Sequence, residues 1–114
     1  MTNLEAIDTA TEHMLAQGKR SLGIAAGSCA YHSTDGLKCA IGCLIPDGEY
    51  SPFMEGNNVG ELREIPSLNG LNVELLLTLQ LIHDTTPVRF WERELKRAKK
   101  NLGLGSFEGS EIFG

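Results

Sequence analysis

No stretch of this chain stays apolar for the roughly 18 residues that a membrane-spanning helix needs, and it carries neither G-x-G-x-x-G nor a GK[ST] phosphate loop. The common nucleotide cradles are therefore missing, although glycines stand at positions 36, 42, 48, 56 and 60. Cysteine is scarce and odd in number, at Cys29, Cys39 and Cys43, which excludes a disulfide framework and leaves reduced, packed thiols as the expectation. No internal repeat and no complete catalytic or metal-binding signature is present. The first ten residues, MTNLEAIDTA, are polar and acidic, unlike a signal peptide, so the expected compartment is the cytoplasm.

What remains is the composition of an ordinary globule, 41% hydrophobic and 22% charged over 114 residues. That length supports one modest core. The expected organisation is a single globular domain over residues 1–104 and a flexible glycine-rich tail over 105–114. The net charge of −5 is unevenly spread, since Met1 to Val88 hold eleven acids and four bases while Arg89 to Lys100 hold six bases and two acids. An acidic body repels phosphate backbones, so nucleic-acid binding is not expected unless that one segment presents a separated basic face.

Periodicity predicts a mainly α fold of the α+β class, a small helical domain with one short β-hairpin. Thr2-Asn3-Leu4-Glu5 has the form of a capping box, and Leu4, Ile7, Thr11, Met14 and Leu15 continue at helical spacing to a stop at Gly18. A second helix, capped by Asn69 or Asn72, runs to about His83 and is apolar all round, which predicts a central position. Thr86-Pro87 opens a third, whose stripe of Phe90, Trp91, Leu95, Ala98 and Leu102 ends near Gly103. Residues 29–32 and 37–39 flank the turn cluster Ser33-Thr34-Asp35-Gly36 and predict the hairpin. The run from Cys39 to Ile45 reads as one or two buried helical turns stopped by Pro46. Asp47-Gly48 makes a turn, Ser51-Pro52 caps another, and Asn57 to Gly70 reads as a mobile surface connection.

Three chemistries can be written on these residues. Cys29, His32, Cys39 and Cys43 have zinc-ligand types, but C-x2-H-x6-C-x3-C matches no common finger. The expectation is no metal and no cofactor. Cys39 could act as a nucleophile with His83 and Asp84, although neighbouring helical side chains diverge by about a hundred degrees and make a poor relay. Asp47, Glu49 and Glu55 around Tyr50 could supply acid-base groups, but turn formation and solvation explain them equally well.

The motif G-L-K-C-A-I-G-C-L-I-P-D-x-x-Y-x-x-x-M-E-G over Gly36 to Gly56, with Cys29-Ala30-Tyr31 before it, resembles small uncharacterised proteins of tailed bacteriophages. The likeness covers about Asn3 to Leu104. It implies a setting, the cytoplasm of an infected bacterium, and no catalytic residue. By class analogy the leading expectation is a binding protein that captures or inhibits a host protein or defence factor. The alternatives are a small-molecule or nucleotide-signal binder and, behind it, a small Cys- or carboxylate-dependent enzyme. The expected contact surface is Asp47, Glu49, Tyr50, Phe53, Met54 and Glu55, because charges without partners are too costly to bury. A deep pocket lined by Tyr50 would favour the ligand binder, and an exposed apolar patch the protein binder.

Overall fold

The computed structural model describes residues 1–22 and 30–104; Cys29 and the tail expected over 105–114 lie outside these. The first helix, α1, covers Asn3–Gln17. Thr2 Oγ1 accepts the Glu5 amide at 3.0 Å and the Glu5 carboxylate accepts the Thr2 amide at 2.8 Å, which completes the capping box. Those bonds, from the Thr2 backbone first and its hydroxyl second, hold the Glu5 carboxyl below its usual range. Gly18 ends the helix at φ 69°, a conformation that suits glycine. Ala6, Ile7, Ala10 and Met14 turn inward, whereas Leu15 faces solvent.

Helix α2 covers Val73–Thr85, with the Asn72 side chain accepting the amides of Glu74 and Leu75. After Pro87 the chain makes a 3₁₀ turn over Val88–Phe90 and then α3, Trp91–Asn101. The core collects Ile7 and Met14 of α1, Ile41 and Ile45, Leu75, Leu76 and Leu79 of α2, and Trp91 and Leu95 of α3. Three helices cannot surround one of their own number. Helix α2 is therefore not enclosed as its composition suggests: Leu77 and Leu81 point to solvent, 52% and 60% exposed.

The α2–α3 corner is tied down by polar contacts to α2's last turn. Arg20 donates to the carbonyls of His83 (2.9 Å) and Thr86 (2.8 Å), and the Trp91 indole donates to Thr86 at 3.0 Å. Such donors satisfy the carbonyls that a helix C-terminus leaves without partners.

The expected β-hairpin is absent: among the described residues there is no strand, and the two arms meet at a single antiparallel bridge, His32 to Lys38. The turn between them does form, with Ser33 N–H to Leu37 O at 2.8 Å and Gly36 at φ 88°. The ladder stops because its backbone groups are taken elsewhere. Tyr31 and His32 give their amides to the Glu55 carboxylate, each at 3.0 Å. Gln17 holds Lys38 from both sides, accepting its amide at 3.0 Å and donating to its carbonyl at 2.9 Å. The class is mainly α.

Residues 39–45 form the expected buried turn, a 3₁₀ segment over Gly42–Leu44. Position 42 admits only glycine, since a Cβ there would sit 1.8 Å from the Tyr31 carbonyl oxygen. Residues 57–70 depart from expectation. A 3₁₀ turn over Val59–Leu62 carries its own capping box, Asn58 with Glu61, and Val59, Leu62 and Leu68 are buried.

Candidate functional site

The segment from Asp47 to Glu55 divides into residues that build the fold and residues that face outward. Glu55 belongs to the first group. Its carboxylate accepts the Tyr31 and His32 amides and, at 2.6 Å, the Tyr50 hydroxyl. Tyr50 also stacks on the His32 ring, with centroids 4.2 Å apart. Burial, then the Glu55 hydrogen bond and its negative charge, push the Tyr50 phenol up to about 12. Glu49 accepts the Ser67 amide at 3.0 Å and Met54 packs on the core. Asp47 and Phe53 are the outward members, Asp47 beside Lys38 at 3.5 Å and Phe53 90% exposed.

The expected rim is thus not continuous. Two of its apolar or polar anchors, Tyr50 and Glu55, hold the turns together, and only Phe53 offers large apolar area to a partner.

The groups considered for chemistry are also engaged. His32 is mostly covered and points Nε2 at the Gly42 and Ile45 carbonyls, 2.8 and 3.0 Å away, so the ring carries a proton there. Cys43 Sγ donates to Ala40 O at 3.1 Å, and burial pushes its thiol up to about 12. Cys39 is fully buried, and its sulfur accepts the Gly42 amide. Among the described residues no group of three His, Cys, Asp or Glu side chains converges as metal ligands do.

His83 is buried beneath Trp91, ring centroids 5.6 Å apart. Asp84 does bend back to it, contrary to the expected divergence, with Oδ1 2.8 Å from Nδ1. The other ring nitrogen accepts the Ser21 amide at 3.1 Å, which places the ring proton on Nδ1. An amide occupies the position a nucleophile would need, so the pair fastens residue 21 to the end of α2.

An outward apolar feature that sequence reasoning missed lies along α2. Glu74, Leu77, Leu81 and Asp84 follow one another at helical spacing and form a single ridge, roughly 15 Å long at 1.5 Å per residue. Beside Leu77 and Leu81 runs an open groove of about 370 Å³, walled by Tyr31, Asn57, Asn58, Val59 and Gln80, with Asp84 at one end. Asn57 joins it to the Phe53 turn by donating to the Phe53 carbonyl at 3.3 Å. Tyr50 is not among its walls. The signal existed in the sequence as leucines on every side of a helix too short to be wrapped by two others.

No family model, curated protein or solved structure matches this chain. Among the described residues no helix is long and apolar enough to cross a membrane.

Proposed function

We propose that this protein is a binding module that captures another protein through the α2 ridge. The observation that carries the reading is the pair Leu77 and Leu81, more than half exposed beside an open groove, an arrangement that costs solvation unless a partner covers it. Phe53 adds a third apolar contact from the adjoining turn.

The charges select the partner's chemistry. Glu74 and Asp84 bracket the two leucines, so the ridge reads acid, leucine, leucine, acid. A second copy packed antiparallel would set Glu74 against Asp84, two like charges, which disfavours a symmetric dimer. An amphipathic helix of a different protein, with Lys or Arg flanking its apolar residues, meets both requirements. In the setting the phage resemblance implies, that partner is a host protein or defence factor. The small-molecule alternative is less well supported, because the groove is open and Tyr50 is committed to Glu55.

Affinity capture from bacterial lysate, with wild type and Leu77→Glu/Leu81→Glu compared by quantitative mass spectrometry, tests this. Exposed substitutions of this kind shift stability by about 0.5 kcal/mol or less, so the variant should melt as wild type does. Loss of a specifically recovered protein supports the ridge. Undiminished recovery by the variant refutes it.

A further inference from the structure

Nucleic-acid binding was not expected of this acidic chain unless its basic segment presents a separated face, and α3 presents one. Helix α3 buries Trp91, Leu95 and Ala98 and turns Arg93, Lys96 and Lys100 to the opposite side, with Arg89 one turn ahead of Arg93. These four bases form a line about 16 Å long. Two of them are pre-positioned: the guanidinium carbons of Arg89 and Arg93 both lie over the Phe90 ring, 4.9 and 4.5 Å from its centroid. Stacking of this type restricts a long side chain and reduces the entropy lost when it binds an anion.

The acids that pair with the bases of α3 are Glu92, Glu94 and Asp8, and Glu74 of α2 lies across a surface depression from Arg97. Glu92 pairs with Lys96 at 3.1 Å, Glu94 with Arg93 at 3.0 Å and Arg97 at 3.7 Å, and Asp8 with Lys99 at 2.9 Å. Arg89 and Lys100 have no ion-pair partner among the described residues. Exposed pairs such as these are worth about 0–1 kcal/mol each and exchange readily for a phosphate. Acids elsewhere on the body act weakly beyond a Debye length of roughly 8 Å at physiological salt.

We infer that this ridge contacts the phosphate backbone of a nucleic acid without reading its bases. A protein partner is the poorer fit, because protein interfaces centre on apolar anchors and the ridge offers none; its one aromatic ring is covered by arginines. A phosphate backbone requires only aligned positive charge.

The test uses the full chain and a fluorescent 20-base-pair DNA duplex, with anisotropy read from about 50 to 200 mM salt. With four contacts, log K should fall against log[salt] with a slope of about −3 to −4, and two unrelated duplexes should bind alike. Arg93→Glu/Lys100→Glu should weaken binding at least tenfold at low salt and reduce the slope by about two. Arg89→Glu/Lys96→Glu should do the same, and circular dichroism should show both variants folded. The Leu77→Glu/Leu81→Glu variant should bind DNA like wild type. No binding at 50 mM salt, binding indifferent to both reversals, or equal competition by polyglutamate at matched charge would overturn the inference, the last by making an acidic protein the better partner.

Discussion

Replacing Gly42 by alanine should unfold much of the turn region, although it adds one methyl group. The new Cβ would lie 1.8 Å from the Tyr31 carbonyl oxygen, 2.5 Å from its carbon and 2.8 Å from its Cα. All three are backbone atoms, so no rotamer change relieves the clash, and the 30–32 segment must retreat by more than 1 Å. That retreat removes the Tyr31 and His32 amides from the Glu55 carboxylate and strains the bond from the Tyr31 hydroxyl to Asn57 O, now 2.6 Å. Two charge-assisted bonds and one neutral one, at about 1.5–3 and 1 kcal/mol respectively, sum to about 4–7 kcal/mol. A domain of this size has about 5–15 kcal/mol in total. Urea denaturation followed by circular dichroism should therefore show Gly42→Ala destabilised by at least 4 kcal/mol or already unfolded. Gly48→Ala is the matched control, because a Cβ there meets nothing within 4 Å, and it should stay within about 0.5 kcal/mol of wild type. If both variants denature at the wild-type midpoint, Tyr31 does not pack on Gly42 and the turn region is built differently.

Glu55→Ala should cost about 4.5–9 kcal/mol, because it leaves two amides and a phenol without their carboxylate acceptor, three charge-assisted bonds at about 1.5–3 kcal/mol each. Glu55→Gln should recover part of that loss, because its oxygen can keep the Oε2 place that accepts both the His32 amide and the Tyr50 hydroxyl while its NH₂ faces the Tyr31 amide; near-complete rescue by Gln would show that neither the Tyr31 bond nor the carboxylate charge matters. Alkaline stability should also fall. Cys43 and Tyr50 hold their protons to about 12 in the folded chain, against ordinary values of about 9 and 10. The native state therefore binds more protons than the unfolded state between those limits, and stability present below about pH 9 is lost as pH rises toward 12. The urea midpoint should be steady up to pH 9 and decline above it, with Cys43→Ala removing the earliest part of the decline. A midpoint that rises over the same range would contradict the burial of both groups.

Local signals in the sequence translated well into structure. The Thr2/Glu5 box, the Asn72 cap, the Ser51-Pro52 turn and the stop at Pro46 each depend on residues within a few positions of one another, and each is present. The failures share a different origin. The hairpin was lost to Gln17 and Glu55, which are remote in sequence and satisfy the backbone groups a ladder would have used. Tyr50 and Glu55 read as surface residues because their partners, His32 and two backbone amides, are some twenty residues away. The order in residues 57–70 was available locally, in the Asn58/Glu61 box, and was outweighed by the glycine and asparagine content around it. Which leucines of α2 reach solvent depends on how many elements surround it, a property of the assembled fold.

A photo-crosslinking residue placed at position 77 tests the α2 ridge most directly. Installed in the full chain and irradiated in bacterial lysate, it should give a discrete adduct to one protein, and the crosslinked peptide should map to a helix carrying Lys or Arg beside its apolar face. The same residue at exposed position 47 should give no such adduct. Adducts that form at position 47 and not at 77 would move the docking surface back to the Asp47–Glu55 turns and contradict the assignment of the ridge.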